Sequence, residues 1–461
     1  MKRIMILFVV LAVLMTGLLA CQPATPTSVS EEPGQEIAPA QEKVTVTVWD
    51  FGGSEFQWMD DIVIPVFQEK NPNITISHIG VVEDELGLKL ETAIAAGEAP
   101  DLVIFPPPRV IAAGHALPLD DFMARDGLKR QDYCPIFNSD NLFAGASIYQ
   151  NKVYGLPIDT NIWAMIYNKE LFREAGLPEL TSADYIDFDT WFEYARAINK
   201  PAETLAERVW GSAMFTPQWN AMGNYMSDPF VLGADGRTAI GNIDSDDWIH
   251  AYEVMTAAYK EDITTETAGA MLADIEEDMF VQGKLGMTYA AFGDAMAARD
   301  AGIDVGLTGQ PVVTKGWSVN VGGWNTTYYM MATSKQPEEA WLFLKFLSIE
   351  VPLIVPIGAD ALSGTGGGLP GLPCYQPLLK DEKIAAMINS DPFAADFLEL
   401  QSHYKKPPFS PDIWATTDPF YNGFVRMTEG GEDVTMVVHE SAVEAQDILD
   451  GLWKDFDSLG K

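Results

Sequence analysis

The stretch YQNKVYGLPIDTNIWAMIYNKELFREAGLP, residues Tyr149 to Pro178, decides the predicted fold. Its first residues form a turn and a short strand, and a Gly-Leu-Pro break separates them from an apolar strand over Ile162 to Tyr167. A helix is predicted over 169–175, because Gly176 is a typical C-terminal stop. The polar run 159–161 stands beside the apolar strand, where it is either an ordinary polar turn or a place that presents polar groups to a small ligand.

Strands and helices alternate before this stretch. The sequence VTVTVW from Val44 alternates valine and threonine as a strand does, and helical spacing follows over 54–70. A strand over 74–79, a helix over 86–96 and an apolar strand over 102–105 come next. This order is typical of a parallel sheet covered on both faces by helices, so an α/β fold is predicted, with a mostly helical C-terminal part.

The N-terminal residues are typical of a targeting segment. Two basic residues precede an apolar run over 4–13, which is too short to span a bilayer and indicates a secretory signal peptide over 1–20. The sequence LLAC, ending at Cys21, resembles a bacterial lipoprotein signal, so Cys21 is expected to be lipidated; the alternative is a plain signal peptide cut near Ala20. Residues 21–43 are rich in Pro, Thr, Ser, Ala and Glu and are predicted to be a disordered tether.

Charge and cysteine content narrow the class of protein. The formal net charge is −37, from 29 basic and 66 acidic residues, and so acidic a chain disfavours binding to nucleic acid. Besides Cys21, the chain has only Cys134 and Cys374. In an oxidising compartment these two either pair in a disulfide or remain separate buried thiols, and the sequence leaves both alternatives open.

Motifs of known catalytic or metal-binding chemistry are incomplete. The pair HE at 439–440 begins a zinc-protease pattern, but the position of the second histidine is Val443. The acidic run 244–247 lacks the glycine of a calcium loop, and the GTG at 364–366 is not followed by a helix. The sequence therefore predicts no catalytic residue, no metal site and no cofactor.

Aromatic residues are the positive signal for a ligand. The chain has 12 Trp, 15 Tyr and 23 Phe, and several fall at strand ends or turns. Flat rings suit the apolar faces of sugar rings, while carboxylates, amides and Arg suit the hydroxyl groups. For any single ring the alternative is core packing. Turn positions favour Phe105, Trp219 and Trp324 as ligand contacts.

Five stretches, in chain order, carry a family resemblance. They are VTVTVWDFGG, ETAIAAGEAPDLVIF, the stretch Tyr149 to Pro178, MFVQGKLGMTYAAFGD and VGGWNTTYYMMATSKQPEEAWLFLKFL. Together they resemble the extracellular solute-binding proteins of ABC importers, in the sugar-binding group that includes the maltose-binding protein. The resemblance covers Val44 to about Ser348 and, more loosely, the C-terminal helices.

The resemblance implies a two-lobe fold of the periplasmic-binding-protein type. Each lobe would be a mostly parallel sheet flanked by helices, and the ligand cleft would lie between the lobes. The implied boundaries are lobe 1 over 44–142 and 323–350, lobe 2 over 143–322 and 351–461, and hinges near 143–147, 317–323 and 351–356.

The resemblance also implies a set of ligand-binding residues. They follow the first strand, the Pro-Asp strand and the Asn-Lys strand, or lie in the second lobe and on the return strand: Gly53, Ser54, Glu55, Phe105, Arg109, Asn161, Trp163, Trp219, Phe292, Trp324, Asn325 and Tyr421. The chain departs from the maltose-binding pattern at Pro106 to Pro108, where that pattern has polar or charged residues. The resemblance therefore implies a sugar without implying maltose.

The implied function is that of a substrate-binding lipoprotein. It would capture a mono- or oligosaccharide outside the cell and deliver it to the permease subunits of an ABC transporter. The protein would be a monomer without enzymatic activity, anchored by lipid to the bacterial cell membrane on the periplasmic or outer face. Three alternatives remain open. They are the same fold binding a non-sugar solute such as a peptide, polyamine or metal chelate, an extracellular carbohydrate-active enzyme, and an anchored sensor or adhesin that does not transport.

Overall fold

A computed structural model describes most of the chain after residue 42. The described residues are 43–51, 57–138, 147–204, 207–213, 231–265, 279–313, 322–357, 369, 371–390, 392–403 and 408–459. Several expectations lie outside the described residues: the signal peptide, Cys21 and the tether, the turn residues Gly53, Ser54 and Glu55, and Trp219.

The first sheet has five strands in the order β2-β1-β3-β11-β6. Its strands are β1 (Val44–Phe51), β2 (Ile74–Val81), β3 (Leu102–Ile104), β6 (Gly155–Pro157) and β11 (Thr327–Met330). Strands β1, β2 and β3 are parallel, whereas β11 is antiparallel to β3 and to β6. The alternation of VTVTVW turns Val46 and Val48 into the core, where both are fully buried. Strands β1, β2 and β3 are the parallel unit that the alternation of strands and helices predicts, and β11 makes the sheet as a whole a mixed one.

The second sheet is built around the long strand β7 (Asp159–Asn168). Strands β8 (Met287–Ala290), β9 (Val305–Thr308), β10 (Gly322–Trp324) and β12 (Leu372–Pro373) all pair with β7, and all four pairings are antiparallel. The predicted α/β two-lobe class holds, but the expectation of a mostly parallel second sheet needs correction. Hydrophobic periodicity records which face a side chain takes, and it carries no information on the direction of a neighbouring strand. A separate two-stranded ladder joins β4 (Ile148–Tyr149) to β5 (Lys152–Val153).

The chain passes between the two sheets at adjacent places. Ile158 separates β6 of the first sheet from β7 of the second, and residues 325–326 separate β10 from β11. A third passage enters the second sheet at β12, after Leu369 forms a bridge with Ile357. The hinges predicted near 143–147, 317–323 and 351–356 all precede these passages along the chain.

Helices cover both sheets and bury two hydrophobic clusters within one compact unit from Lys43 onwards. The helices are α1, which joins a π-helical segment Met59–Val63 to Ile64–Lys70, then α2 (Glu83–Ala96), α3 (Pro108–Ala112), α4 (Asp120–Arg125), α5 (Lys169–Glu174), α6 (Phe188–Ile198), α7 (Asp246–Lys260), α8 (Phe292–Asp300), α9 (Pro337–Ile349), α10 (Val351–Ile354), α11 (Glu382–Ser390), α12 (Pro392–Gln401), α13 (Ile413–Thr428) and α14 (Val434–Leu459). In the part of the chain that the structure describes, no helix combines the length and apolarity that a membrane crossing requires.

Cys134 and Cys374 form a disulfide across a sequence separation of 240 residues. Both side chains are fully buried, and the Cys134 N–H donates to the Cys374 carbonyl at 2.8 Å. Of the two alternatives that the sequence leaves open, the structure contains the bond. It joins the segment after α4 to the residue that follows β12, and so connects parts of the chain on either side of the passages between the sheets.

Candidate functional site

A pair of aromatic rings lies at the carboxyl ends of two parallel strands of the first sheet. Phe51 is the last residue of β1, and Phe105 directly follows β3. Their ring centroids are 5.8 Å apart with an interplanar angle of 23°, and both side chains are half-buried. Ligands of α/β proteins bind outside the carboxyl ends of parallel strands. Two stacked rings at that edge offer an apolar surface to a flat ligand.

The backbone of Phe105 is strained. Its φ is +40°, a left-handed value that a bulky residue seldom adopts. Its N–H donates to the Thr327 carbonyl at 3.3 Å, which ties the strained residue to β11. Such conformations cost free energy and concentrate at ligand-binding sites. The strain therefore supports the placement of Phe105 in the site.

A second pair of rings lies on the second sheet. The rings of Trp163 on β7 and Tyr289 on β8 have centroids 5.0 Å apart, and both side chains are half-buried. Gln310, which is buried, donates from Nε2 to the Trp163 carbonyl at 3.1 Å and fixes this part of β7. Sequence reasoning missed Tyr289. Its position in an apolar strand, three residues before the predicted Phe292, was an available signal.

The return segment 322–327 connects the two pairs of rings. At one end Gly322 pairs with Trp163, and at the other Thr327 accepts the hydrogen bond from Phe105. Between them the backbone of Trp324 pairs with Asn161. Gly322 and Thr327 are five residues apart, so their Cα atoms lie at most ~18 Å from each other. The return segment thus links the backbone positions of Phe105, Trp163 and Trp324 of the predicted set.

Three predicted ligand residues are buried in structural roles. Phe292 begins α8 and is 1% exposed, because its ring turns into the core against Phe397, 5.1 Å away between centroids. Asn161 is fully buried, and its Oδ1 accepts from the N–H groups of Ile162 and Phe292. Asn325 is fully buried beside the disulfide, with its Oδ1 3.4 Å from Cys134 Sγ. Burial leaves these three side chains little or no exposed surface.

Two further predicted residues lie outside the ring cluster. Arg109, on the short helix α3, is exposed and forms an ion pair with Glu91 of α2. Tyr421 is half-buried on α13, which packs on α7 and α14 of the second hydrophobic cluster. Neither residue lies on β1, β3, β7 or β8, the strands that carry or precede the rings of the two pairs.

A buried polar network lies next to Phe51. Asp50 is fully buried and accepts from His78 Nε2 at 2.6 Å and from the Tyr328 hydroxyl at 2.9 Å, while His78 Nδ1 lies 3.1 Å from Asp60. Burial raises the pKa of Asp50 against the opposing effect of these hydrogen bonds. Burial alone would lower the pKa of His78, but its bonds to the two carboxylates outweigh burial and raise it. This network fixes the end of β1 that carries Phe51. No sequence motif predicted the network.

An open depression lies elsewhere, beyond the end of β7. It has a volume of about 690 Å³ and is lined by apolar and charged side chains, the latter including Lys169, Glu179 and Asp304. Lys169 lies 4.0 Å from Glu179, and Arg173 is paired with Asp304 at 2.9 Å, so these charges largely satisfy one another. Among the described residues, no group of three or more His, Cys, Asp or Glu is arranged to hold a metal ion. We therefore place the candidate site at the ring pairs.

A family model described as "Bacterial extracellular solute-binding protein" matches residues 52–348. The chain belongs to this family. The match begins at residue 52, directly after β1, and covers β2, β3, β6, all of β7 to β11 and most of α9. It includes Phe105, Trp163, Tyr289 and the return segment, while Phe51 lies one residue before it.

Known proteins similar to this solute-binding protein agree with the assignment. A binding protein of Brucella abortus (strain 2308) is 26% identical over 312 residues, which cover 66% of this chain and 72% of that protein. The maltotriose-binding protein of Pyrococcus abyssi is 24% identical over 335 residues, 71% of this chain and 65% of that protein. Among solved structures, an ABC substrate-binding protein of Listeria monocytogenes in complex with cycloalternan superimposes with a TM-score of 0.69 at 18% identity, over 88% of this chain and 99% of the other.

These comparisons confirm the family and the fold that the sequence predicts. The structural neighbours are two-lobe solute-binding proteins, and the two sheets of this chain correspond to such lobes. The family is extracellular, in agreement with the predicted location outside the cytoplasm.

Proposed function

We propose that this solute-binding protein captures a mono- or oligosaccharide outside the cell and delivers it to the permease of an ABC transporter. The observation that carries the proposal is the pair of aromatic platforms, Phe51 with Phe105 and Trp163 with Tyr289, at the two ends of residues 322–327. Aromatic rings stack on the apolar faces of sugars. The names of the Pyrococcus and Listeria proteins, which report maltotriose and cycloalternan as ligands, support a carbohydrate.

Capture follows from closure of two lobes. Lobe 1 is the first sheet with its helices, lobe 2 is the second, and the hinge lies at Ile158, at residues 325–326 and before β12. A sugar that contacts rings of both lobes binds the closed arrangement better than the open one, and it therefore shifts the population towards closure. Closure removes water from the cleft and strengthens the hydrogen bonds to the sugar.

The location and partners complete the proposal. Lipidation at Cys21 anchors the protein to the bacterial cell membrane, and residues 22–43 tether the lobes to it. The protein acts as a monomer without catalytic activity, and the closed form docks on the transmembrane subunits of the importer. Replacement of Cys21 by Ser tests the anchor, because the variant should be released from membranes that retain the wild type.

A thermal-shift panel of mono- and oligosaccharides, amino acids, peptides, polyamines and metal chelates tests the ligand class. A ligand at 100 times its dissociation constant adds ~2.7 kcal/mol to stability. We expect at least one sugar to raise the melting temperature and to be recovered unchanged. A hit confined to a polyamine, peptide or metal chelate overturns the carbohydrate proposal, and cleavage of the stabilising sugar overturns the absence of catalysis.

A further inference from the structure

One buried carboxylate joins all three passages between the sheets. Asp159, the first residue of β7, is fully buried. Its Oδ1 accepts from the Thr326 N–H at 2.9 Å, and its Oδ2 accepts from the Gly371 N–H at 3.0 Å. Thr326 lies in the passage from β10 to β11, Gly371 lies just before β12, and Asp159 itself ends the passage from β6. The three segments meet at two oxygen atoms of one side chain.

The surroundings leave little freedom for this arrangement. The Ile158 N–H donates to the Thr326 carbonyl at 2.8 Å, so two passages are also joined directly. A Cβ atom on Gly371 would lie 2.4 Å from the Thr160 carbonyl oxygen and 3.2 Å from Asp159 Oδ2, which shows how closely the third passage approaches. Rotation of one sheet against the other has to change the geometry at these atoms, because the chain passes between the sheets here.

We propose that Asp159 is a positioning residue for lobe closure: its ionised carboxylate holds the three passages in one arrangement, and protonation releases one of them. An ionised carboxylate accepts strong hydrogen bonds on both oxygens, whereas in a protonated one the oxygen that carries the proton becomes a donor and a much weaker acceptor for a facing N–H group. The role in closure rests on the proposed function. Burial raises the pKa of Asp159 to about 6, against the opposing hydrogen bonds from Thr326 and Gly371, so the change falls within an ordinary pH range.

The other groups around Asp159 are mostly uncharged. From β11 the ionisable side chain that faces Asp159 is Tyr328, and its hydroxyl donates to Asp50 of β1. Burial raises the pKa of Tyr328 far above neutral pH. The neighbouring residues of β6, β7 and β12 bear no ionisable group: Pro157, Ile158, Thr160, Leu372 and Pro373. From α12, Gln401 reaches Thr160 with a neutral amide at 2.6 Å. Asp50, bonded to Tyr328, and His78, bonded to Asp50, are the competing titratable groups in this network.

Hydrogen–deuterium exchange of the ligand-free full-length protein between pH 5 and 8 tests the proposal. After correction for intrinsic exchange rates, we expect protection of the peptide that contains Thr326, or of the one that contains Gly371, to fall about tenfold as the pH drops through about 6, while peptides from β1 and β2 keep theirs. In Asp159→Asn, protection at that passage should be low throughout, without the pH-dependent step. Asp294→Asn is the matched control. Asp294 is also buried with a pKa raised to about 6, yet it accepts from Ala291 N within its own helix turn at 2.8 Å.

The outcomes separate clearly. A pH step at one passage or more in the wild type and in Asp294→Asn, absent from Asp159→Asn, supports the proposal. A step that persists in Asp159→Asn assigns the titration to another group, such as His78, and overturns it. If Asp159→Asn does not fold, the wild-type profile decides, because unchanged protection from pH 8 to 5 at both passages refutes it. None of these results requires a ligand, so failure here leaves the proposed sugar binding to be judged by its own panel.

Discussion

Phe105 combines a strained backbone with a ring in the candidate site. A φ of +40° is unfavourable for any residue with a Cβ atom, and the stacked ring of Phe51 with the bond to Thr327 holds the residue there. Backbone strain at a position on the carboxyl edge of a sheet indicates that the placement of the Phe105 ring serves the candidate site. Two substitutions at this residue separate the strain from the ring.

We expect Phe105→Gly to be more stable than Phe105→Ala by about 1 kcal/mol. Both variants lose the ring. Glycine adopts a positive φ without steric cost, whereas the Cβ atom of alanine keeps that cost. Urea unfolding of the two variants measures the difference. An alanine variant at least as stable as the glycine variant would show that the residue relaxes and that the strain has no energetic consequence.

Trp163 carries the matching prediction for the second sheet. Removal of a stacking ring should weaken sugar binding by ~1–3 kcal/mol, and so we expect Trp163→Ala to raise the dissociation constant about 5- to 150-fold by titration calorimetry. Trp453→Ala is the control, since Trp453 is also half-buried among rings but packs against Phe409 and Phe456 on α14. Equal affinities of Trp163→Ala and the wild type would remove Trp163 from the site.

At the scale of elements, the passages between the sheets are reinforced by covalent and polar links. The disulfide connects the segment after α4 to the end of β12, and Tyr133 and Tyr375, which flank it, form a bridge. Ser348 of α9 donates to the Pro157 carbonyl at 2.6 Å and fixes the end of β6. These links lie next to the segments that Asp159 joins. Several independent contacts therefore fix the geometry of the hinge.

Loss of the disulfide should be costly. Closure of a loop of 240 residues removes much entropy from the unfolded chain, and chain-entropy estimates together with measured cases give ~2–5 kcal/mol. We expect the double variant Cys134→Ala with Cys374→Ala to lose that much free energy of unfolding while keeping its far-ultraviolet circular dichroism. Calorimetry of the double variant beside the wild type measures the loss. A variant as stable as the wild type would mean that the burial of the two side chains, not the cross-link, supplies the stability.

At the scale of the whole molecule, negative charge dominates. A formal net charge of −37 opposes a compact state through self-repulsion at neutral pH. Asp159 and Asp294 add to this effect, because burial raises the pKa of each to about 6 and their ionised forms are disfavoured in the folded state. A pKa raised on folding contributes stability that is complete below the unfolded value of about 4 and is lost as the pH rises through about 6.

We therefore expect the protein to be more stable at pH 5 than at pH 8. The contribution of repulsion should shrink in 0.5 M salt, where charges are screened over a few ångströms, while the contribution of the buried carboxyls should persist. Melting temperatures at pH 5 and pH 8, each measured at low salt and in 0.5 M salt, separate the contribution of repulsion from that of the buried carboxyls. Asp159→Asn and Asp294→Asn should each reduce the pH dependence that remains in 0.5 M salt. A melting temperature that falls from pH 8 to pH 5 would contradict this prediction. Global stabilisation at low pH is compatible with a looser hinge, because protonation removes a buried charge while it gives up one local hydrogen bond.

The sequence by itself determined the class of fold, the order of the elements and the family. Strand alternation in VTVTVW, the helix stop at Gly176 and the five family stretches are local signals, readable because side-chain periodicity and turn chemistry act over a few residues. It also located Phe105 and Trp163, since both lie at ends or edges of recognisable strands.

Only the tertiary structure decided how distant residues meet. It made every pairing with β7 antiparallel, buried Phe292 and Asn161 in structural roles, joined Cys134 to Cys374, and placed Asp159 where three passages converge. Each of these facts depends on contacts between residues far apart in the chain. Periodicity along a segment specifies which face is apolar. The partner of that face is set only when the sheets and helices pack together, and this packing also sets the exposure of a ring and the charge of a carboxyl.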